Sequence, residues 1–457
     1  MFTSSQVTGE LRDDVRLGVA ALGRFAADLT WSDVPSAVRE RLLLAVIDLL
    51  GAAIAGAGTA EHHRLVAAVD PVPGPARVLG AGRGADPRDA AWLNGVAACS
   101  LELDEGNKYS RGHPAAHAAP AVLAVAEATG ARGADVCTAL LAGYEVGARM
   151  GAASRLAPGV HPHGTWGAVG AAAGVARLLG LDAGATAAAI DAASGLAFAT
   201  TFSSALNGNL VRNAWVGGAN EAGMRAVQLA RAGLARNDGT AAATLGGVLG
   251  DVDPGPLDDR LGKTWMIMRG YFKRHASCAY THPPADAALL IRERDGGIDI
   301  GAIDRVRVET YRLAASLNRT FDTTPSRLAA MFSVPWITAV ALRDGVVGPA
   351  ELDDARRADP ALRALAQRVT VVGADDLDAA LPDHRGARVT VEMTDGRRLT
   401  ATVTDPVGDA DHAPFARSDV HDKLRRLLGD ATAESVVAVG AALPEADDVA
   451  PLLGRLP

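Results

Sequence analysis

From about residue 42 to residue 232 the chain is a succession of helical patterns with almost no strand signal between them. Leu43, Val46, Ile47, Leu50 and Ile54 recur at the i, i+3, i+4, i+7 spacing that puts them on one helix face. Further helices are predicted over 120–129, stopped near Gly130, and over 133–150. Another is predicted from Thr165 as its cap to about 179, with Gly180 as its stop. Two more are predicted over 183–196 and 220–232. The side chains in these stretches are small: the chain holds 50 glycines and only 4% aromatic residues. Small residues bury little area each, so the core must be broad, with many helices in close contact.

The pattern changes after about residue 270. Val306, Val308 and Thr310 alternate with charged residues, as in a half-buried strand. Val389, Val391 and Met393 do the same, Asp395-Gly396 follows, and Leu399, Ala401 and Val403 resume the alternation. Asp-Gly between alternating runs signals a hairpin. Helical patterns over 335–343 and 351–367 separate the strands. The expected fold is mainly α, in a chain of 457 residues, long enough for two domains. A helical domain is expected over 1–269 and a smaller α+β domain over 270–403. Leu424, Leu427 and Leu428 mark 404–457 as a segment returning to the helical domain.

Several function classes are disfavoured. The net charge is −8, with both signs interspersed and no basic stripe, which argues against a nucleic-acid partner. The three cysteines, Cys99, Cys137 and Cys278, form no C-x-x-C pair, which argues against a disulfide framework, a zinc ribbon and an iron–sulfur cluster. The first residues lack a basic n-region followed by an apolar core. The apolar stretch 42–58 contains Asp48 and is broken by glycines, so it is not read as a membrane span. A cytoplasmic protein with no membrane partner is expected.

Four segments carry candidate chemistry. In the first, Glu102, Asp104 and Glu105 precede His113-Pro114, and Pro114 suits the first turn of a helix. His113 then lies at a helix end that attracts anions, a suitable place for a proton-handling group beside a carboxylate. Taken alone, the segment also reads as a solvated acidic loop with a capping histidine. His117, four residues on, shares a helix face with His113, but no third ligand is evident and no metal is expected. In the second segment, His161-Pro162-His163-Gly164-Thr165-Trp166-Gly167 runs into a helix start. Its glycines suit close approach of either a ligand or another helix. The third, 272–283, gathers Lys273, His275, Cys278 and His282. It reads as a carboxylate holder or as a basic turn with an inert thiol. The fourth, 209–213, offers Arg212 as a second cation. The glycines at 80, 82 and 84 lack the spacing and context of a nucleotide fingerprint.

In this order the segments resemble those of the MmgE/PrpD family. Ala90-Ala91-Trp92-Leu93-Asn94-Gly95 is similar to the family's helix before its acidic loop. Residues 102–105 with His113-Pro114 resemble that Asp-rich loop and its His-Pro. His161-Pro162 with Gly164-Thr165-Trp166-Gly167, the run from Lys273 through Cys278 to Thr281-His282, and Phe332-Ser333-Val334-Pro335-Trp336 resemble three further family segments. The family includes 2-methylcitrate dehydratase, cis-aconitate decarboxylase and iminodisuccinate epimerase. The resemblance implies a large helical domain formed by both chain ends, with the α+β domain as an inserted lid. It also implies a homodimer, no cofactor, and a small carboxylic-acid substrate bound between the domains.

On that basis His161 and His113 are the expected acid–base pair, with Glu102 and Asp104 orienting His113 and Cys278 as a second proton carrier. Lys273 and Arg212 are the expected carboxylate holders, and His163, His282 and Trp336 are expected to contact substrate. Gly106 replaces a threonine of the family pattern, Met331 a basic residue and Trp336 a tyrosine. These departures point to a substrate with one or two carboxylates rather than three. The expected activity is that of a lyase, foremost a dehydratase of a β-hydroxy acid, in specialised metabolism. Decarboxylation or epimerisation in the same site, and a non-catalytic role, are the alternatives.

Overall fold

The computed structural model describes residues 7–457. Helices of eight or more residues are numbered in chain order. They are α1 (Gly9–Asp28), α2 (Ser36–Ala57), α3 (Ala60–Val69), α4 (Pro87–Cys99), α5 (Pro114–Thr129), α6 (Gly133–Ala153), α7 (Gly167–Leu178), α8 (Ala183–Gly195) and α9 (Val211–Arg231). They continue as α10 (His282–Arg294), α11 (Val334–Asp344), α12 (Pro360–Gln367), α13 (Arg417–Leu428) and α14 (Asp430–Ala442). The fold is mainly α. Helix α7 is central, packed by α5, α6, α8 and α9. Every residue from Gly167 to Ala176 is buried, and all ten are Gly, Ala or Val. This is how a chain poor in aromatics fills a core: small side chains let backbones come close.

Two helices start earlier than their patterns predict. Helix α5 begins at Pro114 and runs through Pro120. A proline has no N–H, so the Ala116 carbonyl loses its helical donor. Asn220 Nδ2 donates to that carbonyl at 3.0 Å, and Asn220 Oδ1 accepts from Ala121 N at 3.0 Å, so one amide splints the break. Helix α9 begins at Val211, nine residues before its apolar pattern becomes clear, because its first turns pack on α4. Thr165 does not cap α7. Its hydroxyl donates back to the Pro162 carbonyl at 2.6 Å, and the helix starts two residues later.

The larger sheet contains β1 (Ile303–Thr310), β2 (Val369–Gly373), β3 (Ala387–Met393) and β4 (Arg398–Val403), in the order β4-β3-β1-β2. β3 and β4 form the hairpin predicted around Asp395-Gly396, with Val391 opposite Leu399. β2 pairs parallel to β1 and has no counterpart among the predicted strands. The helical pattern over 351–367 is realised as three short pieces, the last starting at Pro360.

Two hydrophobic cores result, one among the helices from α1 to α9 and one around α10, α11 and the sheet. The tail helices return to the first: α13 and α14 pack on α2. Lys423 of α13 donates to Asp48 Oδ1 at 2.6 Å and to the Leu103 carbonyl at 2.7 Å, which anchors the acidic loop from behind. Among the described residues no single helix is long and apolar enough to cross a membrane.

Candidate active site

Between the two cores lies a cavity of about 50 Å³. That is far below the roughly 300–1,000 Å³ of pockets for drug-sized ligands, and it suits a small substrate. Glu102, His113, His161, His163, Arg212 and Cys278 all line it, so the four sequence segments meet in one place.

The acidic loop carries the strain of the site. Glu102 has φ +52°, a conformation that a side chain other than glycine rarely adopts. Its carboxylate is buried and paired on both sides, with Arg212 and, at 3.2 Å, with Lys273 Nζ. Lys273 Nζ is also 3.4 Å from Asp104 Oδ1. Burial alone would raise the Asp104 carboxyl, but His113, Lys273 and Arg212 together hold it well below the usual carboxylate range. Four charges therefore neutralise one another out of water. Lys273 is fully buried behind the cavity and does not line it. It is the counter-ion of the acidic loop rather than a free carboxylate holder, and Arg212 reaches the cavity already paired.

The hydrogen bonds fix the imidazole tautomers. His113 Nδ1 is 2.7 Å from the Glu105 carbonyl and 3.1 Å from Asp104 Oδ2. Both are acceptors, so Nδ1 carries the proton and Nε2 keeps a lone pair. His161 is the opposite case: its Nδ1 accepts from the His163 backbone N–H at 3.0 Å, so Nε2 carries the proton. The His161 ring is stacked on Phe202, 5.2 Å between centroids, and its carbonyl accepts from Thr200 Oγ1 at 2.6 Å. His163 stands edge-on between them, 5.1 Å from His113 and 4.6 Å from His161. His163 Nε2 accepts from Arg212 at 3.4 Å. Burial holds all three imidazoles below their ordinary value, and for His161 and His163 the Arg212 charge adds to it. All three are neutral at pH 7.

Cys278 lines the cavity, but burial, with Glu102 next, pushes its thiol up to about 11. It is a thiol at neutral pH, able to donate a proton and not to abstract one. Glu105 is pushed up to about 8 by burial, against hydrogen bonds from Tyr144 and the Ala115 N–H. His282 and Trp336, expected against substrate, are elsewhere. His282 Nε2 bonds the Ser277 carbonyl at 3.3 Å, and Trp336 is buried in the second core against Phe321. His117 donates Nδ1–H to the His113 carbonyl at 2.8 Å and holds the turn rather than a ligand.

Arg111, Arg385, Tyr271 and Tyr280 also line the cavity and were not among the expected site residues. Tyr271 explains Gly106. The two are paired across two short strands, and a Cβ on Gly106 would strike the Tyr271 phenol ring. The hydroxyl missing at position 106 is thus replaced from the facing strand. The Arg385 side chain donates to the Lys108 carbonyl at 3.0 Å and its backbone N–H to Asp405 Oδ1 at 3.3 Å, and among the described residues no carboxylate in the cavity pairs with the guanidinium. Among the described residues Glu102 is the one acid lining the cavity, and Arg212 is already paired with it, so Arg111 and Arg385 leave two cations in excess.

Buried neutral imidazoles make stability pH-dependent. His62, His113, His117, His161, His163 and His282 are all held below 6.5 by burial, His62 and His117 at about 4. Below pH 6.5 the unfolded chain takes up protons that the folded chain refuses. Their contribution to stability is therefore full above 6.5 and is lost as pH falls toward 4. Calorimetry across this range should show a steadily falling Tm; a flat profile would mean these groups are not buried neutral.

Two family models cover most of the chain: the MmgE/PrpD N-terminal domain matches residues 20–247 and the MmgE/PrpD C-terminal domain residues 275–443. Cis-aconitate decarboxylase of Aspergillus terreus is 28% identical, over 97% of this chain and 96% of its own length. The cis-aconitate decarboxylase-like protein oryM of Aspergillus oryzae is 26% identical, over 89% of this chain and 90% of its own.

Proposed function

The chain belongs to the MmgE/PrpD family, and from that premise we propose that it is a lyase that removes water from a small β-hydroxy acid carrying two carboxylates. The observation that carries this reading is the pair of opposed tautomers facing one cavity with two excess cations. Arg385 and Arg111 hold the carboxylates. His113 Nε2 takes the proton from the carbon next to a carboxylate. The electron pair left behind spreads into that carboxylate, where the His161 Nε2–H and the arginines stabilise the charge. It then forms the carbon–carbon double bond as the β-carbon–oxygen bond breaks. The His113 imidazolium returns its proton to the departing hydroxide, so water leaves and both histidines regain their starting states. His161 acts as a neutral donor, because a proton on its Nδ1 would meet the His163 N–H.

The curated relatives favour a second reading. In a decarboxylation the same cations would hold the acid and carbon dioxide would leave; the electron pair left on carbon would take a proton that His113 draws from solvent, so one proton is consumed per turnover.

Incubation with a panel of small hydroxy and unsaturated di- and tricarboxylic acids in D₂O separates the outcomes. Loss of water from a dicarboxylate is expected. Release of carbon dioxide would replace the first reading by the second. Deuterium gained without loss of any fragment would indicate epimerisation, and no change in any acid a non-catalytic role. Replacing Arg385 by Met should raise KM at least about tenfold with kcat less affected, since a charge-assisted hydrogen bond contributes about 1.5–3 kcal/mol. An unchanged KM would remove Arg385 from the carboxylate site.

A further inference from the structure

Outside the cavity, three side chains with metal-ligand chemistry converge at the end of the larger sheet. His384 is on the loop before β3, Asp405 follows β4, and His412 is on the loop that leads to α13. His384 Nδ1 is 2.7 Å from Asp405 Oδ2. The His384 and His412 rings are stacked, with centroids 4.2 Å apart and planes at 25°. One ligand atom from each of the three lies within 4.8 Å of the other two, the one such grouping among the described residues.

Neither ring is stacked there by burial: His384 is 41% exposed in its side chain and His412 is exposed. A divalent cation satisfies all three groups together. With zinc–ligand bonds of about 2.0–2.2 Å, neighbouring ligand atoms in a tetrahedral site are about 3.3 Å apart. Asp405 and His412 also edge an open groove of about 380 Å³, which leaves further coordination positions to solvent.

We propose that His384, Asp405 and His412 form a site for a divalent cation of the zinc type, which clasps the loop carrying Arg385 to the end of the sheet. The location gives the cation its effect. Arg385, next to His384, lines the cavity and donates to the Lys108 carbonyl. Lys108 Nζ in turn bonds the Asp383 carbonyl at 2.9 Å and Asp409 at 3.0 Å, on the two loops that supply the histidines. One ion therefore ties together the segments that hold Arg385 over the acidic loop. This does not depend on which acid the cavity takes.

The test is calorimetric titration of the full chain with zinc chloride, paired with hydrogen exchange. One zinc per chain with micromolar affinity is expected, weakened at least about tenfold in His384→Ala and in His412→Ala, as loss of one of three ligands requires. His161→Ala, which removes an imidazole from the cavity, should bind zinc like wild type. Zinc should slow exchange of the amides over 383–386 in wild type and not in His412→Ala. Absence of binding at millimolar zinc, or affinity unchanged in both variants, would overturn the site. Binding without protection over 383–386 would overturn the clasp.

Discussion

Replacing His113 by alanine should lower kcat at least about 100-fold while leaving the circular dichroism of the folded chain in place. Positioned acid–base groups typically contribute about 10²–10⁴-fold, and in the proposed cycle this one imidazole both takes and returns the proton. In the decarboxylation reading the same imidazole delivers the proton to carbon, so a large loss is expected for water or carbon dioxide as the leaving molecule. Replacing His161 by alanine removes a fixed N–H donor, and loss of one such donor costs about 10²–10³-fold in kcat. The two substitutions should differ in kind. His161→Ala should still exchange the substrate Cα–H with solvent, slowly, whereas His113→Ala should not. Activity near wild type in His113→Ala, measured on whichever acid is turned over, would remove the base from the mechanism.

The largest effect on stability is expected at Lys273. Its ammonium is fully buried between Glu102 and Asp104, 3.2 and 3.4 Å away. Lys273→Met leaves Arg212 to balance both carboxylates in a space closed to water. Breaking a buried ionic group by removing one partner costs about 3–5 kcal/mol, because the remaining charge has no compensation. Urea denaturation should show a midpoint lowered accordingly with little change in slope. The variant should also lose activity, because Asp104, the partner of His113 Nδ1, is no longer held. A stability loss below about 1 kcal/mol would mean that the lysine is not the counter-ion the geometry makes it.

Much of the architecture was legible in the sequence where local signals decide it. The α2 stripe, the Gly130 stop and the hairpin around Asp395-Gly396 are set by side-chain period and backbone conformation, and the structure has all three. The failures have a common cause in distant partners. Pro120 looks like a helix start until Asn220, a hundred residues away, repairs its break. β2 is five residues long and owes its existence to β1 beside it.

The site divides the same way. The histidine loops and Cys278 were recognisable as chemistry-bearing segments, and the fold gathers them around one cavity. Lys273 and Arg212 were read as free cations because a sequence does not show which carboxylates will face them. Arg385 has no local signal at all: it is a single arginine on a loop, given meaning only where the chain lays it beside Tyr271 and Tyr280. Gly106 looked like a lost hydroxyl, and only the facing strand reveals that Tyr271 takes up its space.

The account rests on two neutral imidazoles held in opposite tautomers. Long-range ¹⁵N–¹H NMR of the histidine rings, in free protein labelled with ¹⁵N and assigned through single His→Gln variants, reads this directly and needs no substrate. At pH 7 His113 should show a protonated Nδ1 and an unprotonated Nε2, and His161 the reverse. The same tautomer on both rings, or an imidazolium at either position, would contradict the division of roles between base and donor.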